Sequence, residues 1–453
     1  QGENFIVHFT TADNDFQNIN GQLYSLQSNY GYAQSILNWA EYSLNIYLEN
    51  EWEDIPPDCD ESILDLNSPH HCMNFGGNAL YDIYISNDGP GMVVPENAYP
   101  VLPYTGGRTS YMKISTLSNN YQSLPSWSHH VVAHEVHHAI QMRYGTGTSG
   151  TSGNYTHNLW FFEQTATYME NVIFPNSNHL YTMLANCDVV TPLTHANLGI
   201  DYPAEIYPYR SSLWQKYLVE STQDSSIIRY MWEDYGLQFA SGENVSLFPI
   251  YESSINIATE NQFTMGEAFN EYALWRYFTG ERSIQNSFFE ESAGYCAASI
   301  DNIGQEYSLL SNTGGAYFIS FPNDETPLII SSDYSDYIDC RHLSINSDNE
   351  LILSDLIFYN NNIAINSDPD FSEVLICNTN YRGINSNEIS FSVNIDNINL
   401  LGDLNYDGEI NILDVILAVD MILNEEFNSL VDLNQDQNLN ISDIILLINI
   451  ILN

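Results

Sequence analysis

The chain has 453 residues, of which 58 are acidic and 10 are basic, so its formal net charge is -48. Such a charge repels a phosphate backbone and excludes nucleic-acid binding as a main role. Hydrophobic residues make up 44% of the chain, which excludes an acidic disordered protein, and no apolar run is long enough to predict a membrane span.

The predicted elements of residues 1–290 mix helices with strands. Apolar positions recur at three- and four-residue steps over residues 32–51, which predicts an amphipathic helix. Residues 81–86 and 110–116 alternate between apolar and polar and predict strands, while the intervening residues 87–107 predict a loop. Further helices are predicted over residues 126–144, 159–173, 211–220, 226–235 and 265–278. This order predicts a mixed α+β domain.

The rest of the chain is predicted to form two smaller domains. Short runs of β-type residues, separated by Asn, Asp, Ser and Gly turns, predict an antiparallel β-sandwich over residues 291–398. Residues 399–453 contain an internal repeat, because Asp403 and Asp432 begin two similar segments 29 residues apart. Three domains are therefore predicted, and the last is a small helical module.

The first chemical motif lies in residues 127–141, which read WSHHVVAHEVHHAIQ and contain His134, Glu135 and His138 in the spacing HExxH. On a helix, positions i and i+4 lie on one face, so both imidazoles can reach one metal ion while Glu135 points toward water bound there. The alternative is a merely His-rich helix, because the segment contains three further histidines, His129, His130 and His137.

A catalytic zinc site uses three protein ligands and keeps a fourth position open. Glu163 is the candidate for the third ligand, since it lies 25 residues after His138 in a predicted helix. Glu170 follows at i+7 on the same helix face and is the candidate carboxylate that orients a ligating histidine. The residues thus predict one catalytic zinc ion held by His134, His138 and Glu163.

HExxH followed by a helix with the pattern W-x-x-E-x-x-A-x-x-x-E resembles the gluzincin zinc metallopeptidases, which include thermolysin and the zinc aminopeptidases. Over about residues 5–285 the layout is also similar to a group of secreted bacterial metalloproteases. That likeness rests on the HExxH helix and on HFTT at 8–11, YDIYIS at 81–86, FEQTATYME at 162–170 and ALWRYFTG at 273–280. The resemblance implies zinc-assisted peptide hydrolysis with Glu135 as the general base.

Further features of the family bear on the reaction and the substrate. Tyr209 resembles the tyrosine that opens the corresponding helix in gluzincin aminopeptidases, which implies a donor to the oxyanion. With 32 Tyr in the chain, a packing role is the alternative. The aminopeptidase motif G-x-M-E-N is missing ahead of HExxH, which favours an endopeptidase. Residues 110–116 resemble, by position, the edge strand that pairs with an extended substrate in gluzincins.

A second kind of metal site is predicted in the repeats, where residues 403–414 read DLNYDGEINILD and residues 432–443 read DLNQDQNLNISD. Each repeat places oxygen-bearing side chains at loop positions 1, 3, 5, 9 and 12 and a backbone carbonyl at position 7, as in an EF-hand-like calcium loop. Two calcium ions are predicted, with an unbound acidic turn as the alternative. The predicted ligands are Asp403, Asn405, Asp407, Glu409, Asn411 and Asp414 in the first loop and Asp432, Asn434, Asp436, Asn438, Asn440 and Asp443 in the second.

The pair of loops resembles a type I dockerin over about residues 400–453, which implies a cohesin-like or cell-surface partner. The sequence departs from that family at Gln437, where the sharp turn prefers Gly, and in apolar residues that replace the usual polar recognition face. The alternative is that these apolar faces pack on the sandwich and make the module a calcium-stiffened cap.

The six cysteines, none spaced as CxxC, predict disulfides in an oxidising compartment. Cys59 with Cys72 and Cys340 with Cys377 are the expected pairs, although six cysteines allow about 15 connectivities. The chain starts with Gln1 and shows no signal peptide, which predicts a mature exported product and an extracellular location.

Two hypotheses of different classes follow. The first is a secreted zinc endopeptidase that is tethered or stabilised by its calcium-binding tail. The second is a non-catalytic calcium-binding surface or matrix assembly protein on a peptidase-like scaffold. Retention of Glu135 favours the first hypothesis, because a structural zinc site has no use for a general base.

Overall fold

The structure of the chain is a computed structural model. It describes residues 1–68, 71–74, 77–87, 89–116, 128–145, 153–204, 206–242, 245–285, 287–301, 305–310, 314–320, 328–345, 350–358, 361–365, 372–379, 388–395, 402–405, 410–424, 426–428, 430–434 and 438–452.

The chain divides into two compact units, and both contain helices and strands. The first comprises Gln1–Thr194, Ile200–Ala268 and Phe278–Ala297, and the remaining residues form the second. The expected mixture of α and β structure is therefore confirmed. The predicted calcium module and the predicted sandwich, apart from its residues 291–297, fall in the second unit, and the division into three domains stays a prediction.

The strands of the first unit form one mixed sheet and one hairpin. The sheet has the order β1-β4-β6-β5, in which β1, β4 and β6 are parallel and β5 is antiparallel to β6. The hairpin joins β2 to β3. The strands are β1 (Phe5–His8), β2 (Phe16–Ile19), β3 (Gln22–Ser25), β4 (Tyr81–Ser86), β5 (Gly91–Ala98) and β6 (Arg108–Ser115).

Strand β5 lies within residues 87–107, so the prediction that this whole segment is a loop was wrong. Pro95, Glu96 and Asn97 disfavour a strand by composition. β5 nevertheless forms because it lies at the edge of the sheet, where a proline is tolerated and where only β6 needs to supply hydrogen bonds.

Helix α2, whose side chains are mostly buried, packs against α1, α3 and α7 in the first unit. A helix that was not predicted is α8, in which Pro249 lies in the first turn, where its missing N–H costs nothing. The helices are α1 (Tyr30–Glu49), α2 (Ser128–Tyr144), α3 (Gly153–Ile173), α4 (His179–Leu184), α5 (Tyr207–Arg210), α6 (Leu213–Thr222), α7 (Ile227–Ala240) and α8 (Leu247–Ala258), and α9 (Met265–Tyr277) continues into the second unit.

Two disulfides are formed in the described part of the chain. Cys59 is bonded to Cys72, as expected, and Cys187 is bonded to Cys296 across 109 residues. The second bond was not predicted, because no local spacing links its two cysteines. In the second unit, the backbone register places Cys340 directly opposite Cys377, whose side chain lies outside the described residues. Disulfides of this kind form in oxidising environments.

The strands of the second unit form two four-stranded antiparallel sheets with the orders β11-β10-β13-β8 and β12-β9-β14-β7. Buried residues from both sheets, including Ile319, Cys340 and Phe391, contribute to one apolar core. The strands are β7 (Gln305–Leu310), β8 (Ala316–Ser320), β9 (Leu328–Ser331), β10 (Ile338–Ile345), β11 (Leu351–Leu356), β12 (Asn362–Ile365), β13 (Ser372–Thr379) and β14 (Glu388–Ile395).

The second unit ends with two helices, α10 (Ile412–Leu423) and α11 (Ile441–Leu452), that share an apolar core of their own. Asn411 caps α10 by accepting a hydrogen bond from the Leu413 amide. Across the described ranges of the whole chain, every helix is too short or too polar to span a bilayer.

Candidate metal centre

Helix α2 presents His134 and His138 on one face, as the four-residue spacing requires. Their Nε2 atoms lie 3.1 Å apart. Both side chains are largely shielded from solvent, with exposed fractions of 9% and 15%. The rigid, buried helix therefore holds two imidazole nitrogens toward a common point.

Hydrogen bonds at the other ring nitrogens fix the tautomers of these two histidines. His134 Nδ1 lies 2.8 Å from Glu170 Oε1, and His138 Nδ1 lies 2.8 Å from Gln141 Oε1. The Gln141 amide nitrogen donates to the Phe162 carbonyl at 3.0 Å, which turns its oxygen toward His138. Because both oxygen partners accept, each Nδ1 carries the proton of the neutral ring and each Nε2 presents a lone pair.

Glu163 on α3 completes a triangle of acceptor atoms. Its Oε2 lies 3.1 Å from His134 Nε2 and 3.5 Å from His138 Nε2. Tetrahedral zinc with bonds of about 2.0–2.1 Å holds its ligand atoms about 3.3–3.4 Å apart. The three side chains thus fit a zinc ion in both spacing and donor type.

The charges around this triangle also favour a cation at its centre. Burial lowers the pKa of the His134 and His138 rings, but the Glu163 carboxylate outweighs burial and raises both pKa values above their usual range. Burial likewise raises the pKa of the Glu163 carboxyl, and the two histidines more than reverse this. A cation at the centre relieves the repulsion between the three lone pairs.

Glu170, two turns after Glu163 on α3, supports the triangle from behind. Its Oε1 accepts from His134 Nδ1, and its Oε2 accepts from His179 Nδ1 at 2.5 Å. Burial raises the pKa of Glu170, but these two hydrogen bonds overcome the effect and lower the pKa to about 2. An ionised carboxylate here fixes the ring orientation of His134, the role predicted for Glu170.

Glu135 lies beside the triangle, and its carboxylate is incompletely hydrogen-bonded. The residue is 5% exposed, and its Oε2 has no hydrogen-bond partner among the described residues. Burial raises the pKa of its carboxyl above the usual range. A Cβ atom added to Gly91, the first residue of β5, would lie only 2.5 Å from Glu135 Oε1. The glycine therefore makes room for the carboxylate.

Tyr209 on α5 also reaches the site. Its ring stacks on His134 with the centroids 5.6 Å apart, and its hydroxyl lies near the Glu163 carboxylate. Burial and the neighbouring carboxylates raise the pKa of Tyr209, so the hydroxyl keeps its proton at neutral pH. The structure thus brings together all the residues predicted for the first metal site.

Two other histidines of α2, His137 and His129, have other surroundings. His137 points away from the triangle into the core, where its ring nitrogens lie 2.9 Å from the Tyr47 hydroxyl and 3.1 Å from the Thr165 hydroxyl. His129 Nε2 lies 2.5 Å from the Ser177 hydroxyl. These two rings therefore have hydrogen-bond partners outside the triangle.

The strand predicted to pair with substrate was placed wrongly. β6, which covers most of residues 110–116, is bonded to β4 on one side and to β5 on the other, so it has no open edge. The edge strand next to Glu135 is instead β5, which begins at Gly91. Position in the sequence pointed to β6 because β5 was not recognised as a strand.

Sequence reasoning also missed Gln141 and His179, which hold His138 and Glu170. Gln141 follows His138 at i+3, and this spacing on one helix face was a usable signal. His179 begins the short helix α4, and no motif links it to Glu170, nine residues earlier.

The C-terminal loops are described only in part. Asp414, at loop position 12, accepts backbone hydrogen bonds from Leu404 and Asn405 at Oδ1 and from Asn411 at Oδ2. Asp443 accepts from the equivalent amides of the second loop, Asn434 at Oδ1 and Asn440 at Oδ2. Both aspartates thus close their loops, and Asp403 and Asp432, at loop position 1, are buried as well. The predicted ligands Asp407, Glu409 and Asp436 lie outside the described residues.

Two comparisons with known proteins found no match to this chain. No family model matches the chain, and no curated protein sequence matches it.

Proposed function

We propose that the protein is a secreted zinc-dependent endopeptidase of the gluzincin type. The observation that carries the proposal is the convergence of His134 Nε2, His138 Nε2 and Glu163 Oε2 to separations of 3.1–3.5 Å beside the buried Glu135 carboxylate. A zinc ion at this point would activate a water molecule for attack and polarise the scissile carbonyl.

The chain's own groups supply the proton transfers. Glu135 has an unsatisfied Oε2 and a raised pKa, so its carboxylate accepts a proton from the attacking water and returns it to the leaving amine. The protonated hydroxyl of Tyr209 lies at Glu163 and is the proposed donor to the developing oxyanion. Glu170 and Gln141 hold the two histidine rings in place during these steps.

The edge strand β5 supports an endopeptidase. Its first residue, Gly91, lies against Glu135, and its outer edge is open among the described strands. An extended segment of a protein substrate can add to such an edge through main-chain hydrogen bonds. The substrate backbone would then run past the general base, as cleavage within a chain requires.

We propose that the tail binds two calcium ions and tethers or stabilises the enzyme outside the cell. The two loops close in the same way through Asp414 and Asp443, and the two disulfides suit an exported protein. The helices that follow the loops expose apolar side chains at matching positions 29 residues apart, which are Ile412 and Ile441, Ile416 and Ile445, Val419 and Ile448, and Leu423 and Leu452. This repeated surface is the proposed site for a cohesin-like or cell-surface partner.

Digestion of an unfolded protein substrate such as casein tests the enzyme proposal against a non-catalytic scaffold. The full chain, supplied with zinc and calcium, is expected to cleave casein, and Glu135→Gln is expected to lower the rate about 10²–10⁴-fold without loss of zinc. Glu49→Gln, which changes an exposed carboxylate at the end of α1, is the matched control. Equal rates for wild type and Glu135→Gln would refute the proposal.

A further inference from the structure

A second group of histidine and glutamate side chains lies behind the first metal centre. It comprises His130 on α2, Glu170 on α3 and His179 at the start of α4, and one ligand atom from each lies within 4.8 Å of the other two. His179 Nδ1 lies 2.5 Å from Glu170 Oε2, and His130 Nδ1 lies 3.8 Å from the same oxygen. We call these three residues the rear cluster.

The packing of His130 points to a missing ligand. The residue is 5% exposed, and its Nδ1 is buried without a hydrogen-bond partner among the described residues. A buried nitrogen without a partner costs free energy unless something binds it. The neutral imidazole is also the form that binds metals.

We propose that the rear cluster is a second site for a divalent transition metal such as zinc, bound by His130 Nδ1, His179 Nδ1 and Glu170 Oε2. Two imidazole nitrogens and one carboxylate oxygen suit zinc and its neighbours better than calcium. The ion replaces the proton that His179 Nδ1 donates to Glu170, and the neutral ring carries that proton on Nε2 instead. Separations of 2.5 and 3.8 Å reach the tetrahedral value of about 3.3–3.4 Å by shifts below about 1 Å.

The two sites would share one carboxylate. Glu170 Oε1 holds His134 at 2.8 Å, while Oε2 faces the rear cluster. An ion on Oε2 draws negative charge away from the hydrogen bond that supports His134, and such partners typically change metal affinity about 10–100-fold. Zinc is therefore expected to bind in two steps of different affinity, an effect that rests on the proposed zinc site at His134.

Zinc stoichiometry of the metal-depleted full chain tests the proposal. Equilibrium dialysis against a zinc buffer, with calcium in excess to fill the C-terminal loops, is expected to load about two zinc ions per wild-type chain. His130→Ala and His179→Asn are each expected to load about one. The asparagine keeps a hydrogen-bond donor for Glu170 but is a poor zinc ligand, so it separates metal binding from support of the carboxylate.

Two further variants complete the experiment. His138→Ala is expected to lose the first ion and to keep the second, so it also loads about one zinc ion. His71→Ala changes a histidine elsewhere in the first unit, hydrogen-bonded to the Met73 amide, and is expected to load about two, as wild type does. This control removes binding to scattered imidazoles as an explanation.

The outcomes separate the second site from the proposed function. A wild-type chain that cleaves casein but loads only about one zinc ion overturns the rear-cluster proposal and leaves the peptidase intact. A chain that loads no zinc overturns both. Loading of about two ions by His179→Asn and His130→Ala alike would also refute the rear cluster, whatever the wild type holds. The wild-type measurement decides the question even where His130→Ala does not fold.

Discussion

The two regions proposed to bind metal differ in how their ligands are spread along the chain. In the C-terminal loops, twelve consecutive residues supply the predicted ligands, and Asp414 closes its loop onto Asn405 and Asn411. In the first unit, His134 and Glu163 come from different helices, and Gly91, which makes room for Glu135, comes from a strand. A local loop can order around its ion, whereas the zinc centre depends on prior folding of a whole unit.

The largest expected effect comes from removing one ligand in each region. His138→Ala is expected to reduce casein cleavage to the buffer background and to abolish zinc binding at the first centre, because two ligands cannot hold the ion. Asp414→Ala is expected to weaken calcium binding in the tail while the zinc content stays at the wild-type value. Zinc and calcium content and digestion rate are measured on the same preparations. Loss of zinc in Asp414→Ala would contradict the independence of the two regions.

A smaller effect is expected from Gly91→Ala, which tests whether β5 belongs to the zinc centre. The added methyl group would lie 2.5 Å from Glu135 Oε1 and 2.6 Å from Val131 Cγ1, so the carboxylate must move. A displacement near 1 Å can cost about 10²-fold in kcat. Zinc content is expected to be unchanged, since Gly91 is not among the three ligands.

The control for this experiment is Met92→Ala, the next residue of β5, whose side chain is 41% exposed. This variant is expected to retain the wild-type kcat. Equal activity of Gly91→Ala and Met92→Ala would show that β5 does not constrain the general base.

The smallest expected effect is on the pH dependence of stability, which distinguishes the first unit from the tail. Burial, together with the charges of Asp82 and Glu96, raises the pKa of Asp58 to about 7 in the folded first unit. The folded state thus holds this proton more tightly than the unfolded chain, in which an aspartate has a pKa of about 3.9. The protonated Asp58 carboxyl therefore stabilises the folded first unit at low pH, and this stabilisation is lost as the pH rises from about 4 to about 7.

Asp58→Asn is therefore expected to raise the denaturant midpoint of the first unit at pH 8 and to change it little at pH 4. The midpoint is followed by tryptophan fluorescence, because every described tryptophan except Trp275 lies in the first unit and the tail contains none. An identical difference between variant and wild type at both pH values would show that Asp58 does not titrate in this range.

The parts of the structure that could be predicted are those that local sequence patterns determine. The apolar face of α1, with Ile36, Ala40 and Leu44 buried, follows directly from the helical period of the sequence. HExxH and Glu163 could be identified because helix geometry fixes which side chains share a face. The chemistry of zinc then limits which residues can complete the set.

The residues that escaped prediction are those whose role depends on contacts between distant segments. Cys187 and Cys296 are 109 residues apart, and His179 reaches Glu170 only because α4 folds back onto α3. Strand β5 was hidden by Pro95 and its polar neighbours, since edge position rather than composition stabilises it. Such pairings are decided by tertiary packing, which no sequence window records.

The central claim is most directly tested by a zinc-edge anomalous difference map from crystals of the full chain grown with zinc and calcium. We expect a peak about 2.0–2.1 Å from the Nε2 atoms of His134 and His138 and about 2.0–2.2 Å from Glu163 Oε2, with no protein atom in the fourth position. Absence of a peak between these side chains, or a protein side chain that fills the fourth position, would contradict it.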